Sequence, residues 1–200
     1  MDQSLAKIRH ERSKKDFPML SLADDEYVEV ALSRARICLW AILGGTALGV
    51  IIILLAFLLV LLGQQMLDEM GKNFLFIILF ALLASAVVIG LIALRIYNGN
   101  KLFVTNRRVF QLLTTSLVSS STNVIDLPSI EDASFHQNGI LQQLLHYGTL
   151  RLATVGDETT YTFKYSDIKP EQMEKISKLI TEAKKRLKRK QVAELVEETK

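Results

Sequence analysis

Three histidines, one cysteine and a run of hydroxyl side chains are the residues of this chain that could do chemistry. Their spacing argues against most of it. A zinc site takes three or four ligands. His10, His136 and His146 lie far apart or without a third donor, no His-x3-His step occurs, and Cys38 stands alone. The single cysteine also excludes a disulfide framework within the chain. Serine and threonine crowd Thr114–Thr122, yet no Gly-x-Ser-x-Gly elbow is present to activate one of them. Neither a Gly-x-x-x-x-Gly-Lys phosphate loop nor a Gly-x-Gly-x-x-Gly turn occurs. Glu131 and Asp132 are adjacent carboxylates. Neighbours on a strand point to opposite faces, so they make a poor acid/base couple. The expectation is a non-enzyme with no catalytic residue, no cofactor and no metal.

Charge offers a better lead. Residues 97–169 hold six basic and six acidic side chains, so this stretch is neutral. The excess sits in Lys184-Lys185-Arg186-Leu187-Lys188-Arg189-Lys190, six cations in seven residues. Such a run can hold anionic lipid at about 1 kcal/mol per cation near the surface. It can equally be a solvated helix end whose cations complement the macrodipole. Lys184, Lys185, Arg186, Lys188, Arg189 and Lys190 are therefore the candidate lipid-binding residues, with Glu194, Glu197 and Glu198 offsetting part of their charge. A net charge of only +3 argues against a nucleic-acid partner.

The apolar residues set the framework. No charge occurs from Ile37 to Leu67 or from Asn73 to Leu94. A bilayer core needs about 20 apolar residues in a helix, and both runs reach that. Spans over about 37–62 and 73–94, joined by the short polar stretch Gly63–Lys72, predict a transmembrane hairpin. Arg34, Arg36, Arg95, Lys101, Arg107 and Arg108 flank it on one side and Lys72 on the other, which places both termini in the cytoplasm. The polar stretch 1–36 is too long for a signal peptide's basic start, so the first span is expected to be retained. Ser4–Lys15 reads as a helix interrupted at Phe17-Pro18. The segment after Asp24-Asp25-Glu26 reads as helical up to the membrane. Thr46 and Ser85 are the only hydroxyls in the spans, and no ionisable group marks a transport path. Gly45/Gly49, Ala81/Ser85 and Ala86/Gly90 have the spacing that lets helices approach closely.

From Tyr97 the pattern changes to period two. Leu102 and Val104 oppose Phe103; Val109, Gln111 and Leu113 alternate with Phe110 and Leu112. Val124–Leu127, Thr149–Val155 and Thr160–Tyr165 read as further strands, with Gly156-Asp157-Glu158 as a hairpin turn and Tyr161, Phe163 and Tyr165 on one face. Pro170 opens a helix whose apolar stripe runs Met173, Ile176, Ile180, Ala183, Leu187. Beyond Leu187 the phase slips, and the tail reads as a frayed or separately packed extension.

Three stretches, in order, carry a resemblance. Phe103-Val104-Thr105-Asn106-Arg107-Arg108-Val109, Val124–Ala133 and Ile140–Leu150 together resemble the bacterial pleckstrin-homology-like domain of membrane-flanked, two-span proteins. Gln142-Gln143 stand where that family usually has a basic residue. The resemblance covers about residues 97–183. It implies a split β-barrel of about seven antiparallel strands capped by a C-terminal helix, with no established catalytic residues. Within this barrel Thr-Asn-Arg-Arg reads as a turn, its arginines paired with carboxylates or solvated.

The expected architecture is thus a membrane α-helical hairpin plus an α+β domain. Residues 1–36 form a cytoplasmic polar segment, 37–94 the hairpin, 97–183 the domain and 184–200 a basic then acidic helical tail. The expected function is a non-enzymatic interaction module, multi-pass in a bacterial cytoplasmic membrane, that binds a protein partner or its own copies. The alternative is a peripheral sensor of anionic lipid acting through the basic helix.

Overall fold

In the computed structural model the residues described are 2–63, 68–154 and 160–198. They fall into two compact units, one built from residues 1–35, 99–114 and 120–200, the other from 36–98 with 115–119. The turn expected at Gly156-Asp157-Glu158 and most of the link expected between the spans lie outside the described residues.

The first unit opens with α1 (Asp2–Asp16), in accord with the helix expected at Ser4–Lys15. The segment after Glu26 is not helical. It forms β1 (Val28–Ser33), whose Val28, Val30 and Leu32 alternate with polar or small residues. That period-two signal was short and lay beside an apolar helix. Its pairing partner, β2 (Lys101–Thr105), lies about 70 residues further on, and a local reading cannot see it. Val30 faces Val104 and Leu32 faces Leu102 across this antiparallel pair. β3 (Arg108–Thr114) and β4 (Ser120–Asp126) complete a sheet of order β1-β2-β3-β4. A 3-10 turn, Leu127–Ser129, leads into β5 (Ile130–His136), which pairs with β6 (Gly148–Thr154) and β7 (Thr160–Ser166) in a second antiparallel sheet. The short helix α4 (Ile140–Leu144) joins β5 to β6. The backbone N–H of Ala35 reaches the carbonyl of Tyr165 at 2.6 Å, tying the end of β1 to β7.

Two sheets and a C-terminal helix, α5 (Pro170–Glu198), enclose the main core. Leu102, Val104, Val109 and Ile125 meet Leu150, Leu152 and Phe163 there, with Ile176 and Ile180 of α5 closing one end. Gln111 is also buried, and its amide donates to the Thr162 carbonyl at 2.8 Å, linking the sheets. The opposite face of the four-stranded sheet is covered too. Phe103 and Phe110 pack under Leu20, and Phe17 meets Phe103 at 4.9 Å between ring centroids. This explains why Phe103, opposite Leu102 and Val104, is itself buried.

Among the described residues the strand pairing slips at three points, between Val28 and Val30, Ile130 and Asp132, and Gly148 and Leu150, and the last two correct the simple alternation. Gly148 pairs with Ser166 but Leu150 pairs with Phe163, so β7 carries an extra residue. Tyr165 absorbs it at φ 60° and is 45 % exposed, instead of sharing the inner face with Phe163. A register shift between Ile130 and Asp132 likewise leaves both Glu131 and Asp132 exposed. α5 runs unbroken past Leu187, and its residues from Lys185 to Glu197 are exposed.

The second unit contains α2 (Arg36–Leu62) and α3 (Glu69–Gly99). Their most apolar windows have mean hydropathies of 3.0 and 3.1 and are 0 % and 6 % buried, so both are long and apolar enough to cross a membrane. They pack through Phe57 on Phe76, at 4.9 Å, and through Gly90, which sits against Thr46. Of the small residues expected to mediate packing, Gly90 does so here, whereas Gly45 and Gly49 have open space before them.

Candidate anion-binding cleft

The Thr105-Asn106-Arg107-Arg108 stretch is the turn between β2 and β3, as its residue types imply. Thr105 Oγ accepts from the backbone N–H of Arg107 (3.2 Å) and of Arg108 (2.8 Å). A hydroxyl bonded to its own chain two and three residues on is what closes such a turn. Its own proton lies within reach of Glu26 Oε1 at 2.7 Å and the Arg108 carbonyl at 2.8 Å. Asn106 reaches outward: its amide donates to the Asp25 carbonyl (3.1 Å), and its oxygen accepts from the Tyr27 N–H (3.2 Å).

The two arginines have opposite fates. Arg108 grips the fully buried Glu26 with both ends of its fork, Nε to Oε1 at 3.2 Å and Nη2 to Oε2 at 2.5 Å. The N–H of Ala23 adds a further bond to Oε2 at 2.9 Å. Burial alone would raise the Glu26 carboxyl. The hydrogen bonds from Arg108, Ala23 and Thr105 outweigh it and hold that carboxyl below the usual carboxylate range. The hydrogen bond to Glu26 raises Arg108 in turn. His10 Nδ1 meets the Glu26 carbonyl at 2.7 Å and Ser13 Oγ accepts from the Val28 N–H at 3.0 Å. The whole N-terminal segment is thereby clamped to the turn. Glu26 is the residue that sequence reasoning missed; its only local signal was the acidic cluster Asp24-Asp25-Glu26.

Arg107 is exposed and forms no ion pair with a described residue. It lines two open clefts of about 630 and 600 Å³. The larger lies between the turn and α5, where Arg186, Leu187 and Lys190 face Arg107 and Asp126. The smaller adds Lys7 of α1 and Asp25, and shares Asn106, Arg107 and Arg186 with the first. Helical spacing explains why Arg186 and Lys190 come together, being four residues apart on one face.

The six basic candidates of α5 therefore separate. Arg186 and Lys190 line the cleft. Lys184 Nζ donates to the Glu131 carbonyl at 2.9 Å, fastening α5 to β5. Lys185, Lys188 and Arg189 are exposed and line neither cleft. As for the other candidate chemistry, His136 Nε2 lies 3.1 Å from Ser134 Oγ, His146 sits at φ 53°, and among the described residues no group of three metal-ligating side chains gathers.

The sequence model of one family, described as Bacterial PH domain, matches residues 31–184. The chain belongs to that family. The match begins inside β1 and ends in α5, so this PH domain includes both apolar helices as an insertion between its first two strands. A solved protein with a pleckstrin-homology domain, of the DUF1696 family from Shewanella loihica, is 15 % identical over 42 % of this chain and 70 % of its own, with a TM-score of 0.32. None of the curated proteins matches the chain.

Proposed function

We propose that this PH domain protein is anchored in a bacterial cytoplasmic membrane by α2 and α3, with both termini cytoplasmic. It works there as a non-enzymatic interaction module that binds a protein partner or a second copy of itself. One observation carries the anchoring. Ser33 and Lys101 are register partners, so the chain leaves the barrel and returns to it at adjacent points. Between them lie two long apolar helices with scarcely a buried residue in their most apolar windows. An even number of crossings brings the chain back to the side it left, and lipid supplies the apolar cover that the protein does not. The excess of Lys and Arg flanking the outer ends favours the cytoplasm for the barrel.

The test of topology is thiol labelling in intact cells. In a Cys38→Ser background, Asp68→Cys should react with an impermeant reagent and Ser4→Cys should not. Labelling of Ser4→Cys alone would reverse the orientation, and equal labelling of both would end the hairpin reading. The test of interaction is purification of the full chain from native membranes in mild detergent. A stoichiometric partner or a defined oligomer supports the module. A clean monomer that retains anionic lipid supports the second reading, a lipid sensor. That reading draws on Lys185, Lys188 and Arg189, exposed and in no ion pair with a described residue.

A further inference from the structure

We propose that the short helix α4 is a foot of the barrel, seated in the boundary between headgroups and acyl chains of the same bilayer that α2 and α3 cross. This inference rests on the anchoring reading and adds to it a contact made by the barrel itself. It starts from an exposed apolar knob. Ile140, Leu141, Leu144 and Leu145 are all exposed, Ile140 by 83 %, on or directly after a helix of five residues. No Asp, Glu, Lys or Arg occurs from Ala133 to Leu150. A contiguous apolar patch on the surface of a soluble domain marks a place that something apolar covers. The polar groups of the loop are engaged within it. The Gln137 amide donates to the carbonyls of Gln142 (3.2 Å) and Tyr147 (3.3 Å), and Gln142 Oε1 accepts from the Asn138 N–H at 2.7 Å. These amides close the loop on itself and leave its apolar side chains outside.

Position selects the bilayer as the cover. Gly148, four residues after Leu144, is the register partner of Ser166. Ser166 in turn bridges to Arg34, and the Ala35 N–H reaches the Tyr165 carbonyl. Arg36 is the first residue of α2. α4 therefore sits at the end of the barrel where the chain departs for its first span. Four residues of chain reach at most about 14 Å, and two strand spacings add about 10 Å. The other crossing point carries a second apolar tip. Asn100 follows α3; its amide donates to the Thr114 carbonyl (3.0 Å) and its oxygen accepts from the Thr114 N–H (3.3 Å). The turn after Thr114 holds Leu117 and Val118, the latter 98 % exposed. Two apolar tips, at the two places where the barrel joins the spans, suit a domain that rests on a bilayer. Tyr147 and Tyr165, with ring centroids 6.3 Å apart on either side of this exit, add amphipathic rings of the kind that settle at headgroup level. A second copy of the chain fits less well, because a protein interface surrounds its apolar centre with a polar rim, and this stretch offers no charge for one.

The contact is apolar, so it should not depend on lipid charge. The full chain in a Cys38→Ser background is reconstituted in phosphatidylcholine nanodiscs with one new cysteine at a time. Each is labelled with an environment-sensitive fluorophore and quenched by lipids that carry a nitroxide either just below the headgroup or deep in the acyl chain. Ile53→Cys, within α2, reports the anchoring, and Leu141→Cys reports α4. Ser129→Cys reports the far end of the barrel, beyond the Arg108–Asp126 register pair. The shallow nitroxide should quench Leu141→Cys at least about twofold more than Ser129→Cys. The ratio should be the same at about 0.15 M and about 1 M salt, since the higher salt screens charge attraction within about 3 Å. Ile140→Glu with Leu144→Glu should bring the Leu141→Cys signal down to the Ser129→Cys level. Leu144→Cys carries the test if Leu141→Cys lowers the unfolding midpoint. Deep quenching at Ile53→Cys with none at Leu141→Cys keeps the anchor and overturns the foot. No quenching at Ile53→Cys removes the anchor, and the foot with it. Quenching at Leu141→Cys that appears only with added phosphatidylglycerol would also overturn the proposal, as would disulfide capture of Leu141→Cys between two copies in place of quenching.

Discussion

Replacing Arg108 by alanine is the sharpest test of how the N-terminal segment is held. Glu26 is completely buried, and four bonds satisfy its carboxylate: two from the Arg108 fork, one from the Ala23 N–H and one from Thr105 Oγ. The substitution deletes both charge-assisted bonds and leaves a buried charge with two neutral donors. Breaking a buried pair from one side costs about 3–5 kcal/mol. Arg108 keeps 28 % of its side chain exposed, so water can partly take its place. About 3 kcal/mol is therefore expected, roughly a hundredfold in the folded population. Solvent unfolding of the full chain in detergent, followed by circular dichroism, measures it. Trypsin cleavage after Lys14 and Lys15 should accelerate at the same time, because Phe17, Leu20 and Leu22 lose the anchor that seats them on Phe103 and Phe110. Glu26→Gln with Arg108→Met should cost less than Arg108→Ala alone, since no charge is then left buried. The same carboxyl fixes a pH dependence. Its folded value is lowered, so its contribution is complete above the ordinary carboxylate range and is lost as pH falls through the folded value. Glu26→Gln should flatten that acid limb. A loss below about 0.5 kcal/mol in Arg108→Ala, or a double variant as damaged as the sum of the singles, would refute the clamp.

Other substitutions test packing. A Cβ on Gly148 would lie 2.5 Å from the His136 carbonyl and 2.7 Å from the Phe135 ring, so Gly148→Ala should lose about 1–3 kcal/mol in the same unfolding assay. A wild-type midpoint would show that β5 and β6 yield there. Gly90→Ala would press a methyl to 2.7 Å from Thr46 Cγ2, whereas Gly45→Ala meets nothing within 4 Å. The first should weaken association of α2 with α3, read as resistance to denaturing detergent, and the second should not; equal effects would refute the observed helix face. Tyr165→Val should destabilise by more than about 1 kcal/mol because a β-branched residue resists the left-handed backbone, and Tyr165→Gly should relieve about as much strain. A neutral Tyr165→Val would mean that β7 has no bulge there.

What could be read in the sequence was whatever depends on near neighbours. The 3.6-residue stripe from Met173 to Ile180, the proline at the start of α5 and the alternation around Phe103 each depend on a few adjacent positions, and each matches an element. The Thr-Asn-Arg-Arg turn was legible for the same reason. The misses depend on distance or on a local slip of register. β1 has only six residues and acquires its meaning from a partner beyond both apolar helices. Tyr165 left the inner face because one extra residue entered β7, and nothing in Tyr-Thr-Phe-Lys-Tyr announces that insertion. The cleft is the clearest case. Counting charges over residues 97–169 gave a neutral barrel, because a sum over sequence averages what folding separates. Folding pairs Arg108 with the buried Glu26, leaves Arg107 on the surface, and brings Lys7, Arg186 and Lys190 to it from outside the counted stretch. A binding surface in such a domain is therefore better sought among cations left without a carboxylate after the buried pairs are removed than in net charge.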